Sequence, residues 1–258
     1  MYLRLVQTLV DPDRASEFSA IYTDKILPAL AKTPGCLYAA LVLNTRKKDS
    51  AVSLSLWRSK DDADAYEKTG LYREFVDLSR PFFSESTTWK LRLSEDMRLE
   101  YGPVNEEPFV RTYVGVDEHG TSDSGAAASC GFLRIVSMQV QPGQAEVFTR
   151  LYREHVLEAL RKEPGCCSIQ LAQGVSDQLE FISLTIWESR QAAERYETSG
   201  RFDALRRILQ PTLSTLYQWK LKQQGDPGVT TATSEDLSVD AYVVLTSRSF
   251  GGGNESNK

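Results

Sequence analysis

YLRLVQTLVDPDRASEF, Tyr2 to Phe18, returns further along the chain as FLRIVSMQVQPGQAEVF, Phe132 to Phe148. The rest of the first copy follows in the same order. LPALAKTPGC (Leu27 to Cys36) returns as LEALRKEPGC (Leu157 to Cys166), and SLSLWRS (Ser53 to Ser59) as SLTIWES (Ser183 to Ser189). YEKTGLY (Tyr66 to Tyr72) returns as YETSGRF (Tyr196 to Phe202), and TWKL (Thr88 to Leu91) as QWKL (Gln218 to Leu221). One constant offset, from Cys36 to Cys166 and from Trp57 to Trp187, aligns every pair without a gap. Roughly a third of the aligned positions are identical, where average composition would give about 6%. The chain is a tandem duplication, and the fold is read once and applied twice.

Each copy opens on an alternating apolar run, Tyr2 to Val10, that reads as a strand. Pro12 starts a helix with Phe18, Ile21, Tyr22, Ile26, Leu27 and Leu30 as its apolar stripe. Pro28 is expected to break this helix in the first copy, whereas Glu158 in the second lets it run straighter. Pro34-Gly35 and Pro164-Gly165 end the helices, glycine suiting the left-handed cap. Cys36 to Thr45 and Ala51 to Trp57 form a hairpin around RKKD. Ser59 caps the next helix, with Asp61 and Asp62 in its first turn, and Gly70 divides it from a second helix over Leu71 to Ser79. Thr87 to Leu93 reads as a fourth strand, and one more candidate follows in each copy, Pro108 to Val116 and Leu237 to Leu245. Their spacing differs, which leaves their alignment open.

A β-α-β-β-α-β order is the split, ferredoxin-like plan, with helices on one face of the sheet. The other face also carries apolar residues and must be covered. The expected fold class is α+β: two tandem ferredoxin-like domains whose antiparallel sheets face each other as a pseudo-two-fold α+β barrel. The last strand of each half is a candidate to cross to the other. Pairing each half with another chain is the rival arrangement, so the chain is a monomeric pseudo-dimer or part of a homo-oligomer. Residues 1–118 form the first domain, 119–131 a linker, 132–247 the second domain and 248–258 a disordered tail.

With 30 basic and 35 acidic residues among 258, the net charge of −5 argues against a nucleic-acid partner. No apolar run is long enough to span a bilayer, and the first residues do not read as a secretory signal, so no membrane partner is expected. Four cysteines, Cys36, Cys130, Cys166 and Cys167, form no CxxC pair and suit a reducing, cytoplasmic setting. His119 and His155 are not at equivalent positions, and no metal-ligand cluster is visible. Neither GxGxxG, a P-loop nor GxSxG occurs, which removes nucleotide-binding and hydrolase readings.

Val140, Pro142 and Gly143 after a strand, the PGC helix stop, a strand ending in Trp and the helix Y-x-x-[TS]-G-x-[FY] together resemble the antibiotic biosynthesis monooxygenase domain. The resemblance covers residues 2–93 and 132–223. It implies a dimeric α+β barrel and, among its activities, cofactor-independent oxidation of polyphenols or quinols and haem degradation. The haem-degrading members use an Asn on the first strand and a later His. Those places fall at or beside Val6 and Val136 and near Val76 and Arg206, so neither copy carries the pair. Many other members place a His nine residues after the Trp; here Tyr66 and Tyr196 stand there. The resemblance therefore implies no cofactor and no metal.

Three residue pairs recur as candidates. Tyr66 and Tyr196 would be catalytic, orienting a phenol or passing a proton, although a phenol with pKa near 10 is a poor base at pH 7. Arg4 and Arg134 are charges inside apolar strands; facing the barrel interior, each would need a partner or an anionic oxygen. At a strand end, each would instead reach water over a packed stem. Trp57 and Trp187 read as core or as a wall stacking a planar ligand, and with Arg4 and Arg134 they form the expected substrate-binding set. Two functions follow: a cofactor-independent monooxygenase acting on a small aromatic molecule with O2, or a non-catalytic barrel binding a small hydrophobic ligand or a protein partner. The halves differ at Gln7/Ser137 and Val76/Arg206, which allows a single competent cavity.

Overall fold

A computed structural model describes residues 1–84, 89–93, 99–103, 108–120, 130–214 and 237–250. Its first half contains strands β1 (Tyr2–Leu9), β2 (Cys36–Asn44) and β3 (Ser50–Trp57). A small hairpin, β4 (Trp89–Leu93) and β5 (Leu99–Pro103), is followed by a long strand, β6 (Phe109–Gly120). The second half repeats the first three strands as β7 (Phe132–Gln139), β8 (Cys166–Gly174) and β9 (Glu180–Trp187), and ends on β10 (Leu237–Ser249). Eight strands close into a barrel in the order β1-β3-β2-β10-β7-β9-β8-β6, with every neighbouring pair antiparallel.

The last long strand of each half joins the two sheets. Strand β6 pairs with β1 of its own half and β8 of the other, while β10 pairs with β7 and β2. Register settles the alignment that spacing left open. Tyr113 lies opposite Leu3 and Tyr242 opposite Leu133, so the two tyrosines are equivalent. Both strands also shift register just afterwards, between Gly115 and Asp117 and between Val244 and Thr246. The strand expected at Thr87–Leu93 forms over Trp89–Leu93 but pairs with β5, outside the barrel. The free edge of β1 is already taken by β6. The second copy's QWKL, and most of the expected linker and tail, lie outside the described residues.

Alternation along β1 and β7 divides two environments. Leu3, Leu5, Leu133 and Ile135 point inward and pack with Leu54, Leu56, Leu184 and Ile186 in a core shared by both halves. Residues of opposite parity, such as Tyr2 and Phe132, face the helices, where each half has its own core. Eliminating open sheet faces and edges together is what the duplication achieves.

In each half the first helical stretch runs through an α-helix, a π-helical turn and a second α-helix. These are α1 (Ala15–Ile21), the π turn Tyr22–Ile26 and α2 (Leu27–Ala31), then α5 (Ala145–Leu151), Tyr152–Leu157 and α6 (Glu158–Arg161). The expected break at Pro28 is thereby corrected, since the copy with Glu158 has the same widened turn. The physical reason is the spacing of the stripe. Phe18, Tyr22, Ile26 and Leu30 recur every four residues and are all buried, as are Phe148, Tyr152, Val156 and Leu160. At 3.6 residues per turn each step of four overshoots by about 40°, and a wider turn returns the stripe to the sheet.

The cysteine reading also changes. Cys130 and Cys167 are disulfide-bonded, joining the residue before Gly131 to the start of β8. Only Cys36 and Cys166 are free thiols among the described residues, and burial pushes the pKa of both up to about 12. Among the described residues, no helix is long and apolar enough to cross a membrane.

Candidate functional site

The second helical pair, α3 (Lys60–Lys68) and α4 (Leu71–Ser79), closes over the helix side of β1 and β3. Its equivalent in the second half is α7 (Arg190–Thr198) and α8 (Arg201–Leu209). Ser59 caps α3 by accepting from the Asp62 amide. Gly35 sets how closely α3 approaches: its φ is +80°, and a Cβ there would lie 2.2 Å from Asp62 Cγ. Gly70, at φ +81°, turns the chain between α3 and α4, so that Tyr66 and Tyr72 fall on the same patch of sheet.

Arg4 stands at the centre of that patch. It does not face the barrel interior, as the sequence reading considered, but the helix layer, and it is only 3% exposed. Its Nη2 donates to Glu67 Oε1 at 2.5 Å, and its guanidinium lies 4.0 Å from the Tyr72 ring centroid and 5.8 Å from that of Tyr66. Its Nε is buried without a hydrogen-bond partner. Arg134 repeats the arrangement: 2% exposed, with Nη2 2.5 Å from Glu197 Oε1 and Phe202 and Tyr196 as its aromatic neighbours. That contact is an ion pair without a well-aimed N–H, because Nη2 and Nε both remain unsatisfied. Burial pulls the Arg134 guanidinium below its ordinary pKa, opposed by the nearby Glu197 charge.

The carboxylates that hold these arginines were not singled out from the sequence. Glu67 and Glu197 follow Tyr66 and Tyr196 directly, and the identical Tyr-Glu step in both copies was the available signal. Each carboxylate is roughly half exposed, 49% and 41%, while its arginine is buried. Each pair therefore places a buried cation under an acid at the rim.

A cavity of about 60 Å³ opens beside Arg4. Tyr66, Tyr22 and Tyr72 line it with Thr8, Ser53 and Ser79, and Phe18, Phe75 and Phe83 add aromatic walls. The Tyr22 hydroxyl is committed to Ser53 Oγ at 2.8 Å, and Ser79 donates to the Phe75 carbonyl at 2.7 Å. Burial pushes the Tyr66 phenol well above its ordinary pKa, with the Arg4 charge pulling back. At physiological pH Tyr66 is thus a hydrogen-bond donor and not a base. No Asp, Glu or His lines the cavity among the described residues.

Trp57 lies one layer behind. It is fully buried, stacks on Tyr66 with ring centroids 4.9 Å apart, and donates from Nε1 to Ser55 Oγ at 2.9 Å. Trp187 does the same with Tyr196 at 5.3 Å and Thr185 Oγ1 at 2.9 Å. Neither tryptophan is among the cavity-lining residues. The structure thus brings Arg4 and Tyr66 together at one cavity, Arg134 and Tyr196 at another, and sets each Trp as backing for its Tyr.

The second cavity is smaller, about 40 Å³. Met138 replaces Thr8, Thr185 replaces Ser55 and Leu209 replaces Ser79, each adding bulk to the wall. Arg206 takes the place of Val76 on that wall, with its Nε 3.4 Å from Asp203. Duplication has kept the Arg-Tyr-Trp-Glu set in both halves and the more open space in one.

Residues 1–78 and 131–207 match the model of the family described as antibiotic biosynthesis monooxygenase. No curated protein matches the chain. Among solved structures, a candidate monooxygenase from Fusobacterium nucleatum superposes with a TM-score of 0.68 at 9% identity, covering 100% of this chain and 98% of that one. A candidate monooxygenase from Lactobacillus acidophilus gives 0.65 at 10% identity, covering 97% and 96%. An anthrone oxidase-like protein gives 0.56 at 13% identity, covering 97% and 93%. At such identities these similarities show the fold.

Proposed function

The chain belongs to the antibiotic biosynthesis monooxygenase family, and from that premise we propose that its first half oxidises a single-ring phenol or hydroquinone with O2, without a cofactor. The carrying observation is the buried Arg4, whose unpartnered Nε belongs to a residue lining the same cavity as Tyr66. A buried donor left unsatisfied costs about 1–3 kcal/mol, and an anionic oxygen from a ligand would recover it. A phenolate oxygen is such an acceptor, and the aromatic walls suit the ring that carries it.

In this reading Arg4 holds the substrate oxygen as the anion and so lowers the pKa of the bound phenol. With no carboxylate or imidazole in the lining, the proton leaves to water, and Arg4 supplies the bias. The electron-rich ring carbon passes two electrons to O2 in forming the C–O bond. The resulting peroxide anion takes up a proton from the Tyr66 hydroxyl to give the hydroperoxide, which then loses water together with the ring hydrogen, while Tyr66 regains the proton first released to water. Hydroquinone and O2 become a hydroxyquinone and one water. Trp57 excludes water indirectly, by fixing the Tyr66 ring.

Size favours one ring over three. A cavity of about 150 Å³ admits benzene, so the 60 Å³ space must widen even for phenol. Tyr72 and Phe75 on α4, both partly buried, are the walls that can give. Oxygen consumption by metal-free protein on adding hydroquinone tests the proposal, with anthrone as the tricyclic comparison. Turnover that drops at least tenfold in Tyr66→Phe supports it; no uptake with either substrate sinks the enzymatic reading. Binding without turnover, seen as quenching of tryptophan fluorescence, would leave the barrel as a ligand carrier.

A further inference from the structure

A second, unrelated space lies inside the barrel. It measures about 190 Å³ and sits at one end of the shared core, on the side of β1 opposite Arg4. Leu5, Val52 and Ile135 form its apolar walls, continuous with the packed interior. The rest is polar: Gln7, Ser50, Ser137, Tyr113 and Tyr242, with Asn44, Lys47 and Arg111 toward the mouth. Much of this lining is buried, including Asn44, Ser50 and both tyrosines.

The chamber straddles the pseudo-two-fold axis, since it includes the equivalent pairs Leu5/Ile135, Gln7/Ser137 and Tyr113/Tyr242. Its lip is not symmetric. The first half supplies Asn44, Lys47 and Ser50, whereas the equivalent positions of the second half hold Gly174, Asp177 and Glu180. Glu180 accepts from the Tyr113 hydroxyl at 2.9 Å and lies 3.8 Å from Arg111. Asp177 accepts from Gln139 Nε2 and the Leu179 amide. The acidic half is thus satisfied within the protein, and Arg111 is neutralised by Glu180. Lys47 is left as the charge on the lip, with no ion pair among the described residues.

We propose that this chamber is a binding site for a small organic monocarboxylate of about six to ten non-hydrogen atoms, a size set by comparison with the roughly 150 Å³ needed for benzene. Lys47 meets the carboxylate at the lip, and Ser137 lies within the same space for a polar substituent, beside Gln7 and Ser50, whose side chains are joined by a 3.3 Å hydrogen bond from Gln7 Nε2 to Ser50 Oγ. Leu5, Val52 and Ile135 receive the apolar body. Arg111 is matched by Glu180, so Lys47 alone meets the ligand; it neutralises a monocarboxylate and would leave the second charge of a phosphate dianion unmatched. The sheet separates this site from the Arg4 cavity, so it does not depend on the monooxygenase reading.

Sodium benzoate, titrated into the full chain by calorimetry, tests the site against benzyl alcohol and phenyl phosphate. Benzoate should bind at least about tenfold tighter than benzyl alcohol and tighter than phenyl phosphate. Lys47→Glu, an exposed lip substitution compatible with folding, should weaken benzoate at least about tenfold, and Lys47→Arg should keep it within about threefold. Arg4→Met should leave the affinity unchanged. The proposal is overturned if benzoate binds no better than benzyl alcohol, if phenyl phosphate binds tighter, if Lys47→Glu has no effect, or if Arg4→Met abolishes binding.

Discussion

Arg4→Met should make the protein more stable and abolish the proposed hydroquinone oxidation. The ion pair it deletes is worth at most about 1 kcal/mol, because Glu67 is 49% exposed and rehydrates freely. The contact with Tyr72 at 4.0 Å adds about 1–2 kcal/mol. Against these stand the unsatisfied Nε, costing about 1–3 kcal/mol, and the desolvation of a guanidinium that is 3% exposed, several kcal/mol more. Methionine fills similar space with a flexible apolar chain. The balance favours the variant by about 1–3 kcal/mol, and for a chain of this size about 2–4 °C in Tm per kcal/mol. Thermal and denaturant unfolding of wild type, Arg4→Met and Arg134→Met, read beside oxygen uptake, give the answer. A stability gain with activity lost from Arg4→Met, and a similar gain with activity kept in Arg134→Met, is the expected pattern. If Arg4→Met instead costs 1 kcal/mol or more while uptake survives, Arg4 is a packing residue and the reasoning fails.

Three further outcomes are expected. Thr8→Met, which gives the first cavity the side chain of the second, should reduce hydroquinone turnover at least about tenfold while shifting stability by no more than overpacking allows, about 1–3 kcal/mol; steady-state kinetics and unfolding curves check both. Burial raises the phenols of Tyr22, Tyr66, Tyr113 and Tyr196 above the ordinary tyrosine value of about 10. Their contribution is therefore complete below pH 10 and lost above it, by about 1.4 kcal/mol per pH unit for each tyrosine that ionises only on unfolding. Tm measured from pH 8 to 11.5 should be flat at first and then fall steeply; an acid-side loss alone would contradict this. Finally, Gly70→Ala should cost about 1–2 kcal/mol for its positive φ alone, since nothing lies within 4 Å of the added Cβ. Gly35→Ala, facing Asp62 at 2.2 Å, should cost clearly more, and equal losses in denaturant titrations would refute that account of how α3 is seated.

Much of this was legible because the chain states it twice. Alternation in Tyr2–Val10 and Phe132–Val140, the Pro-Gly stops and the Ser59 cap are local signals, and the strands and helices they imply form. The facing sheets followed from a count of uncovered apolar faces. Less visible was anything set by register. Whether Arg4 faces the interior or the helices depends on which parity of β1 the helices cover, and an arginine amid apolar residues on both sides gives no clue. Tyr113 and Tyr242 could not be equated while the stretches of sequence before them differ in length. The π turn was hidden because a period of four looks helical, and Pro28 offered a more obvious cause. Cys130 and Cys167 meet through the pairing of β7, β9 and β8, in which Phe132 and Cys166 both lie opposite Trp187.

In the proposed reaction a phenolate oxygen completes the hydrogen bonding of the buried Arg4, in one half of a duplicated fold. A crystal structure of the protein soaked anaerobically with hydroquinone would show that contact. The ring should lie in the first cavity, with an oxygen within about 3.2 Å of both Arg4 Nε and the Tyr66 hydroxyl, and the second cavity should remain without ligand. A ring bound inside the barrel, or in the first cavity with its oxygens turned away from Arg4, would contradict the claim.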